Sequence, residues 1–238
     1  MTAPLDSVGL PKSPGPPAFP VYLFDVDGTL MDSARDICGA IQHVLVSRGR
    51  TDVEDVFLRR YIGRHLLDLF LDLDFPRADI DAMIADYRTN YHSRKHASTT
   101  MYPGVAKALA KLGGRKSTAT TKGTPFTRLM LEQFGLLPYF DHVQGTDGFP
   151  AKPEPDVILK SLEIFGARPE ECLFIGDAPP DMEAGRRAGV KICAVRYGYG
   201  DPAELAKWEP DYWIDDLGVL VAENTLPLMN VNEPNVRL

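Results

Sequence analysis

Short apolar runs alternate with longer stretches of helical periodicity along most of the chain. The runs that predict strands cover residues 21–25, 116–121, 141–146, 172–177, 191–195 and 211–215. Between them, apolar side chains recur at every third or fourth position, as in the two groups Phe126, Leu129, Met130, Phe134 and Val157, Ile158, Leu162, Phe165. Strand and helix in alternation predict an α/β fold with a parallel sheet covered by helices on both faces.

The alternation is interrupted once, between the first and second predicted strands. Residues 33–100 contain no convincing strand, but they carry two apolar faces at helical spacing: Ala34, Ile37, Ile41, Val44, Leu45 and Ile80, Met83, Ile84, Tyr87, Tyr91. Ser33 stands at the predicted N-cap of the first of these helices. We therefore expect an inserted all-helical cap over residues 33–100, and an α/β core formed by residues 20–32 and 101–225.

Both ends of the chain have the composition of loose tails. Residues 1–19 are rich in proline, with glycine and serine between the prolines, and this composition opposes both helices and central strands. Residues 226–238 combine proline with asparagine. We expect a flexible tail at each end.

The sharpest motif follows the first predicted strand and reads Asp25-Val26-Asp27-Gly28-Thr29-Leu30. Ligand sites of open parallel sheets lie at the carboxyl ends of strands. Two acids one residue apart on an extended strand point to opposite sides, but Gly28 permits a sharp turn that brings Asp27 over the same pocket as Asp25. Taken alone, Asp27-Gly28 is also a common turn at the end of a strand.

Three further strand ends carry polar groups that phosphoryl chemistry requires. Hydroxyls end the second strand in Thr120-Thr121-Lys122, Lys152 precedes a Pro-Glu-Pro-Asp segment, and Asp177 ends the fourth strand four residues before Asp181. By themselves, Thr120 is typical of a β-branched strand residue and Lys152 of a solvated loop cation. Their common position at strand ends favours a functional interpretation.

In these motifs the sequence resembles the haloacid dehalogenase superfamily, specifically its phosphatases with a small helical cap, and most closely phosphoglycolate phosphatase-like enzymes. The matching pieces occur in the family's order and span about residues 20–220. The resemblance implies a Rossmann-like core and a phosphoric monoester hydrolase.

The resemblance also implies a division of labour among the acids. Asp25 would be the nucleophile that forms an aspartyl-phosphate, and Asp27 the general acid and base. Mg²⁺ would lie between Asp25, the backbone carbonyl of Asp27 and Asp177, with Asp181 behind these ligands.

The equatorial phosphoryl oxygens would be held by a hydroxyl and an ammonium. The resemblance assigns these roles to Thr120 and Lys152. Many relatives have asparagine where this chain has Thr121, so the phosphate-binding hydroxyl stays open between Thr120 and Thr121.

Substrate selection would belong to the cap. The best candidates there are Arg64 and His65, which follow a glycine between two helical stretches, and Arg64 has the charge to hold a second anionic group. We expect a small phosphorylated metabolite as substrate, with 2-phosphoglycolate as the first candidate. Three alternatives stay open: a sugar-phosphate mutase of the β-phosphoglucomutase type, a 2-haloacid dehalogenase, and a non-catalytic binding protein.

Composition narrows the class of partner. The chain has 26 Lys plus Arg against 33 Asp plus Glu, and its net charge of −7 argues against non-specific nucleic-acid binding. No run of residues is long and apolar enough to predict a membrane span. Cys38, Cys172 and Cys193 read as reduced core residues, which suits the cytoplasm. We expect a monomer or homodimer.

Overall fold

The computed structural model describes residues 15–222. Its strands are β1 (Val21–Phe24), β2 (Met31–Asp32), β3 (Thr100–Met101), β4 (Arg115–Thr118), β5 (Cys172–Gly176), β6 (Lys191–Val195) and β7 (Tyr212–Ile214). Its helices are α1 (Ala34–Ser47), α2 (Asp55–Arg59), α3 (Leu66–Asp72), α4 (Arg77–Ser93), α5 (Val105–Lys111), α6 (Thr124–Gln133), α7 (Asp156–Phe165), α8 (Pro179–Ala188), α9 (Pro202–Ala206) and α10 (Val219–Ala222). Most of the first predicted tail and all of residues 226–238 lie outside the described residues.

The main sheet has five strands in the order β4-β1-β5-β6-β7, and every neighbouring pair is parallel. This arrangement confirms the predicted parallel α/β fold. β1, β5 and most of β6 carry apolar side chains at successive positions because both faces of the sheet are buried there, whereas β4 carries Arg115, Lys116, Ser117 and Thr118. In β1 all four residues are buried.

Two apolar layers cover the sheet, one on each face. Tyr22 and Phe24 of β1 pack on one side with α5, α6 and α10, and Val21 and Leu23 pack on the other side with α7, α8 and α9. The side chains of β1 alternate between the layers because successive residues of a strand point to opposite faces. All five strands of the main sheet are parallel, so their carboxyl ends meet at one edge.

One predicted strand is absent. Residues 141–146 run beside β4 without a regular ladder: Asp141 and His142 both donate from backbone N to the Lys116 carbonyl, at 2.9 and 3.2 Å. Further along, the Thr118 hydroxyl takes the place of a backbone partner, because Gln144 N donates to it over 2.9 Å and it donates to the Gln144 carbonyl over 2.9 Å. The predicted strand was wrong because the Thr118 side chain, and not a backbone group of β4, bonds to the backbone of Gln144.

Helix α6 forms as predicted, but its buried face is different. Thr127, Met130 and Leu131 are buried, whereas Phe126 is 37% exposed and Leu129 58% exposed. Phe126 instead faces a cavity described below. The apolar spacing therefore located the helix correctly but not its packing face.

Helices α1 to α4 lie between β2 and β3 and have an apolar cluster of their own, which includes Ile41, Leu69 and Ile80. The short strands β2 and β3 pair antiparallel through Met31 and Met101, forming a ribbon where the helical insert joins the core. The sequence pattern did not predict this ribbon, because two-residue strands have no periodicity to detect.

A few smaller findings complete the description. The three cysteines are buried and free, as predicted. Within residues 15–222, no helix has both the length and the apolar character that a membrane span requires. Ser33 stands at the N-cap of α1, but its hydroxyl does not cap the helix and donates to the Asp27 carboxylate instead.

Candidate active site

Asp25 comes directly after β1 and is 2% exposed. Its backbone N donates to the Ile175 carbonyl over 2.9 Å, which fixes the residue between β1 and β5. The Lys152 ammonium lies 2.8 Å from Asp25 Oδ1, 2.5 Å from Asp181 Oδ1 and 3.0 Å from the Ala119 carbonyl. Three acceptors thus satisfy the three N–H donors of a fully buried lysine.

Asp177 and Asp181 complete a buried acidic cluster with Asp25. Asp177 follows β5, and Asp181 lies in the first turn of α8. Asp181 Oδ2 accepts from the backbone N of Asp177 over 3.1 Å and of Ala178 over 2.9 Å. One carboxylate oxygen from each of the three acids lies within 4.8 Å of the others.

Asp177 is oriented from two sides. Its Oδ1 accepts from the Thr29 hydroxyl over 3.0 Å, and its Oδ2 accepts from the backbone N of Tyr199 over 2.9 Å. Gly28 approaches the same carboxylate so closely that a side-chain carbon there would overlap it. The glycine of the sequence motif is therefore required for close approach as well as for its turn.

Burying three carboxyl groups close together disfavours their ionised forms. Burial raises the pKa of Asp25 to about 6, although Lys152 opposes the change, and it raises the pKa of Asp177 well above its usual range, with the charges of Asp181 and Asp25 adding to the effect. Burial alone would lower the pKa of Lys152, but Asp181 and Asp25 raise it. When all three carboxyl groups are ionised, they face one ammonium, and two negative charges lack a counter-charge within the cluster.

The donor set fits a small divalent cation. Hard cations such as Mg²⁺ prefer carboxylate and carbonyl oxygens, and the cluster offers carboxylate oxygens from three separate residues. A divalent ion would also supply the missing positive charge. The cluster therefore has the ligand chemistry and the charge balance of a magnesium site.

Asp27 lies on the same cavity as Asp25, as the sequence predicted. The chain turns at Gly28, whose φ is +93°, and Gly28 N donates to the Met31 carbonyl over 2.8 Å. Asp27 Oδ1 accepts from the Ser33 hydroxyl over 2.6 Å, and Oδ2 lies 3.2 Å from the Lys122 ammonium. The turn places the second acid where a ligand at Asp25 would meet it.

The two candidate hydroxyls differ in their surroundings. Thr120 is 2% exposed and lines the cavity, and its oxygen accepts from the backbone N of Lys122 over 3.4 Å. The Thr121 hydroxyl donates over 3.5 Å to the carbonyl of Gly63 in the helical insert. Thr120 thus stays at the strand end, and Thr121 contacts the insert.

Arg64 and His65 also line the cavity, and both are exposed. The Arg64 guanidinium lies 5.7 Å from the centroid of the Tyr61 ring. His65 Nδ1 accepts from Leu67 N over 3.1 Å, so this histidine caps helix α3. The structure brings both residues to the cavity.

Lys122 was part of the sequence motif but received no role there. Its side chain is 9% exposed, and its ammonium donates to the Tyr91 hydroxyl over 3.0 Å as well as contacting Asp27. Tyr91 belongs to α4 and Lys122 follows β4, so this contact joins the helical insert to the core. Tyr91 was predicted only as a member of an apolar helix face, because hydrophobic periodicity does not show which group a tyrosine hydroxyl contacts.

A cavity of about 550 Å³ lies between the α/β core and the helical insert. Asp25, Asp27, Thr120 and Lys122 line its core side. Lys152, Asp177 and Asp181 lie behind, each at most 1% exposed. This is a concave site with buried acids and a buried cation at the carboxyl ends of parallel strands, which is where open α/β sheets bind ligands.

Fold and site together define a phosphoric monoester hydrolase of a known class. The chain belongs to the haloacid dehalogenase-like hydrolase family, whose model matches residues 22–195. The predicted class and the resemblance are thereby confirmed.

Two relatives and one solved structure show how similar the chain is to individual proteins. The phosphoglycolate phosphatase of Aquifex aeolicus is 35% identical over 199 residues, which are 81% of this chain and 90% of that protein. Phosphoglycolate phosphatase 1 of Pseudomonas aeruginosa is 33% identical over 209 residues, covering 83% and 76%. The solved structure of a haloacid dehalogenase-like hydrolase from Streptococcus pneumoniae has a TM-score of 0.80 and 26% identity, covering 86% of this chain and 97% of that one.

Proposed function

We propose that the chain is a Mg²⁺-dependent phosphatase that hydrolyses a small phosphorylated metabolite through an aspartyl-phosphate on Asp25. The observation that carries the proposal is the buried cluster of Asp25, Asp177, Asp181 and Lys152 behind a cavity that Asp25 and Asp27 both line. The names of the relatives support 2-phosphoglycolate as the first substrate to test.

In the first step an Asp25 carboxylate oxygen attacks phosphorus, and the bond from phosphorus to the ester oxygen breaks. Asp27, which contacts the Ser33 hydroxyl and the Lys122 ammonium, gives a proton to the departing oxygen. The organic part leaves as an alcohol.

In the second step a water molecule attacks phosphorus, and Asp27 accepts its proton. The bond from phosphorus to Asp25 breaks, which frees phosphate and restores both carboxyl groups to their starting states. The mechanism needs one residue that alternates between acid and base, and Asp27 lies beside Asp25 on the cavity.

Mg²⁺, held by Asp25, Asp177 and the Asp27 carbonyl, would screen the negative phosphate from the attacking carboxylate. Asp181 orients this arrangement through its bonds to Lys152 and to the backbone of Asp177. Thr120 would hold a phosphoryl oxygen, and Lys152 would do so only by turning one N–H away from Asp25, Asp181 or the Ala119 carbonyl. The Thr121 hydroxyl already has an acceptor in Gly63, which favours Thr120 for this role.

We also propose that residues 33–100 form the cap that selects the substrate, with Arg64 and His65 at its cavity surface. The insert has its own apolar core and joins the α/β core through the β2–β3 ribbon. Its residues form one wall of the cavity, so any leaving group bound there contacts them.

The test is phosphate release from a panel of phosphomonoesters, with Mg²⁺ and then with EDTA, for the wild type and Asp25→Asn. Release should require Mg²⁺ and be lost in the variant, and rapid acid quenching should trap phosphate on Asp25 of the wild type. Formation of glucose 6-phosphate from β-glucose 1-phosphate in place of hydrolysis would identify a mutase instead.

Asp36→Asn is the matched control. Asp36 is buried to 1% exposure, outside the cavity lining, and its Oδ2 accepts from both Ser98 N and the Thr99 hydroxyl. An asparagine oxygen can accept the same two bonds, so turnover should persist. Equal turnover in Asp25→Asn and the control would refute the proposed nucleophile.

A further inference from the structure

The cavity has two chemically different halves. On the core side lie Asp25, Asp27 and Thr120, where the proposed function puts the phosphate. The rest of the wall carries charged and polar side chains, such as Arg64, Arg88 and Asp147, beside an aliphatic and aromatic part, which we call the apolar half. Its members are Ile37, Ile41, Ile84, Tyr87, Phe126 and Phe149.

The volume exceeds what a two-carbon acid needs. About 550 Å³ falls in the range of roughly 300–1,000 Å³ that is typical of pockets for drug-sized ligands. A phosphorylated two-carbon acid held at Asp25 would leave the apolar half without contacts. Apolar surface of this kind stabilises a ligand only when the ligand covers it.

Flat ring surfaces form part of the apolar half. The rings of His92 on α4 and Phe126 on α6 stack with centroids 3.5 Å apart and planes 16° apart, so this pair bridges the insert and the core. Tyr87 and Tyr91 stack in parallel on α4 at 5.7 Å. Phe126 keeps 37% of its surface exposed although it lies on the cavity. Such surfaces bind planar rings by stacking.

The cationic side chains of the cavity wall are poorly placed to bind the carboxylate of a short phosphorylated acid. Lys122 already contacts Asp27 and the Tyr91 hydroxyl. Arg64 and Arg88 line the cavity from exposed positions on the insert. A carboxylate that ends close to the phosphate would meet Lys122, whose ammonium already contacts Asp27 and the Tyr91 hydroxyl.

We infer that the preferred substrates are phosphomonoesters whose organic part ends in a planar ring that stacks against the wall containing Phe126. The inference rests on the proposed phosphatase function and names the substrate class of the same site. The ring lies in the apolar half, and the phosphate lies at Asp25.

A matched pair of substrates tests the inference. Adenosine 5′-monophosphate and ribose 5-phosphate carry the same phosphorylated sugar and differ in the planar base. We expect kcat/KM to be at least about tenfold higher for the nucleotide, since stacking a base on an aromatic side chain contributes a factor of this order. Equal values, or a preference for ribose 5-phosphate, would overturn the inference.

Phe126→Ala tests whether the preference for the nucleotide comes from stacking on the Phe126 ring. It should lower kcat/KM for adenosine 5′-monophosphate about tenfold more than for ribose 5-phosphate, chiefly through KM. Leu129→Ala is the matched control, because Leu129 lies on the same helix, is 58% exposed and is not part of the cavity lining. An equal loss for both substrates in Phe126→Ala would count against stacking.

Including 2-phosphoglycolate separates the two proposals. If 2-phosphoglycolate is hydrolysed with Mg²⁺ and the nucleotide is not, the phosphatase proposal stands and the ring preference is wrong. If no ester is hydrolysed, the phosphatase proposal is wrong. Calorimetric binding of the nucleotide and ribose 5-phosphate to the Asp25→Asn variant then decides the ring preference, which requires tighter binding of the nucleotide.

Discussion

At the scale of the single residue, Lys152 shows that a residue's place in the sequence does not reveal which groups it contacts in the folded protein. Lys152 is 127 residues from Asp25 and 29 from Asp181, and its ammonium contacts both carboxylates. The sequence placed it after a strand, where a lysine alone reads as a solvated cation. The family pattern pointed to the site, but no local signal predicts that a loop lysine is fully buried between two acids.

Replacing Lys152 by methionine tests its electrostatic role. Lys152→Met keeps the length of the side chain and leaves Asp25 and Asp181 without their cation, so we expect a loss of about 3–5 kcal/mol in the free energy of unfolding without metal. Phosphate release should fall below detection. Denaturant titration and the phosphate assay measure the two effects.

Lys116→Met is the control for this substitution. Lys116 is also buried, but its ammonium donates to the Leu112 and Gly114 carbonyls, at 2.8 and 2.9 Å, and contacts no carboxylate in the described residues. Turnover should survive in Lys116→Met. Unchanged kinetics in Lys152→Met would remove Lys152 from the site.

Gly28 gives a second prediction at this scale. Its φ of +93° strains any other residue, and a side-chain carbon would overlap the Asp177 carboxylate. Gly28→Ala should therefore lower kcat/KM by at least about tenfold, because Asp177 must move. Gly49→Ala is matched, since Gly49 has a φ of +78° with nothing near the added carbon. Similar kinetics in the two variants would show that the close approach to Asp177 is irrelevant.

At the scale of the element, periodicity predicted the sheet and most helices but not the contacts between them. Four of the five sheet strands were located to within a residue or two and the fifth, β4, to within three. β1, β5 and β6 are largely apolar runs buried on both faces, whereas β4 (Arg115–Thr118) has no apolar residue, and its predicted run ended three residues late. Residues 141–146 failed because the Thr118 hydroxyl replaces a backbone partner. The bond between Lys122 and Tyr91 joins two elements, so neither element's own pattern contains it.

That bond makes a prediction about the two elements. Tyr91→Phe removes the hydroxyl acceptor on α4 but keeps the ring under the Lys122 ammonium, so kcat/KM should fall about tenfold for every substrate, as expected for a hydrogen bond to a charged group. Tyr87→Phe on the same helix is the control, because its ring also lines the cavity. If the two variants lose activity equally, the contact with Lys122 has no special role.

At the scale of the whole molecule, the acids of the site oppose folding unless a cation is bound. Burial raises the pKa of Asp25 from its ordinary 3.8 to about 6, so between these values the folded chain holds a proton that the unfolded chain has released. The metal-free protein should therefore become less stable as the pH rises from about 4 to about 6. Protons and Mg²⁺ compete for the same oxygens.

Thermal denaturation with Mg²⁺ and with EDTA checks this competition. The increase in Tm on adding Mg²⁺ should be small near pH 5, where Asp25 is protonated in the folded metal-free protein, and larger near pH 7.5, where binding displaces no proton from it. Asp177→Asn should lose most of the increase at the higher pH, because it removes one of the three clustered carboxylates. A Tm that Mg²⁺ does not change at either pH would argue that the cluster holds no metal and that Lys152 alone balances its charge.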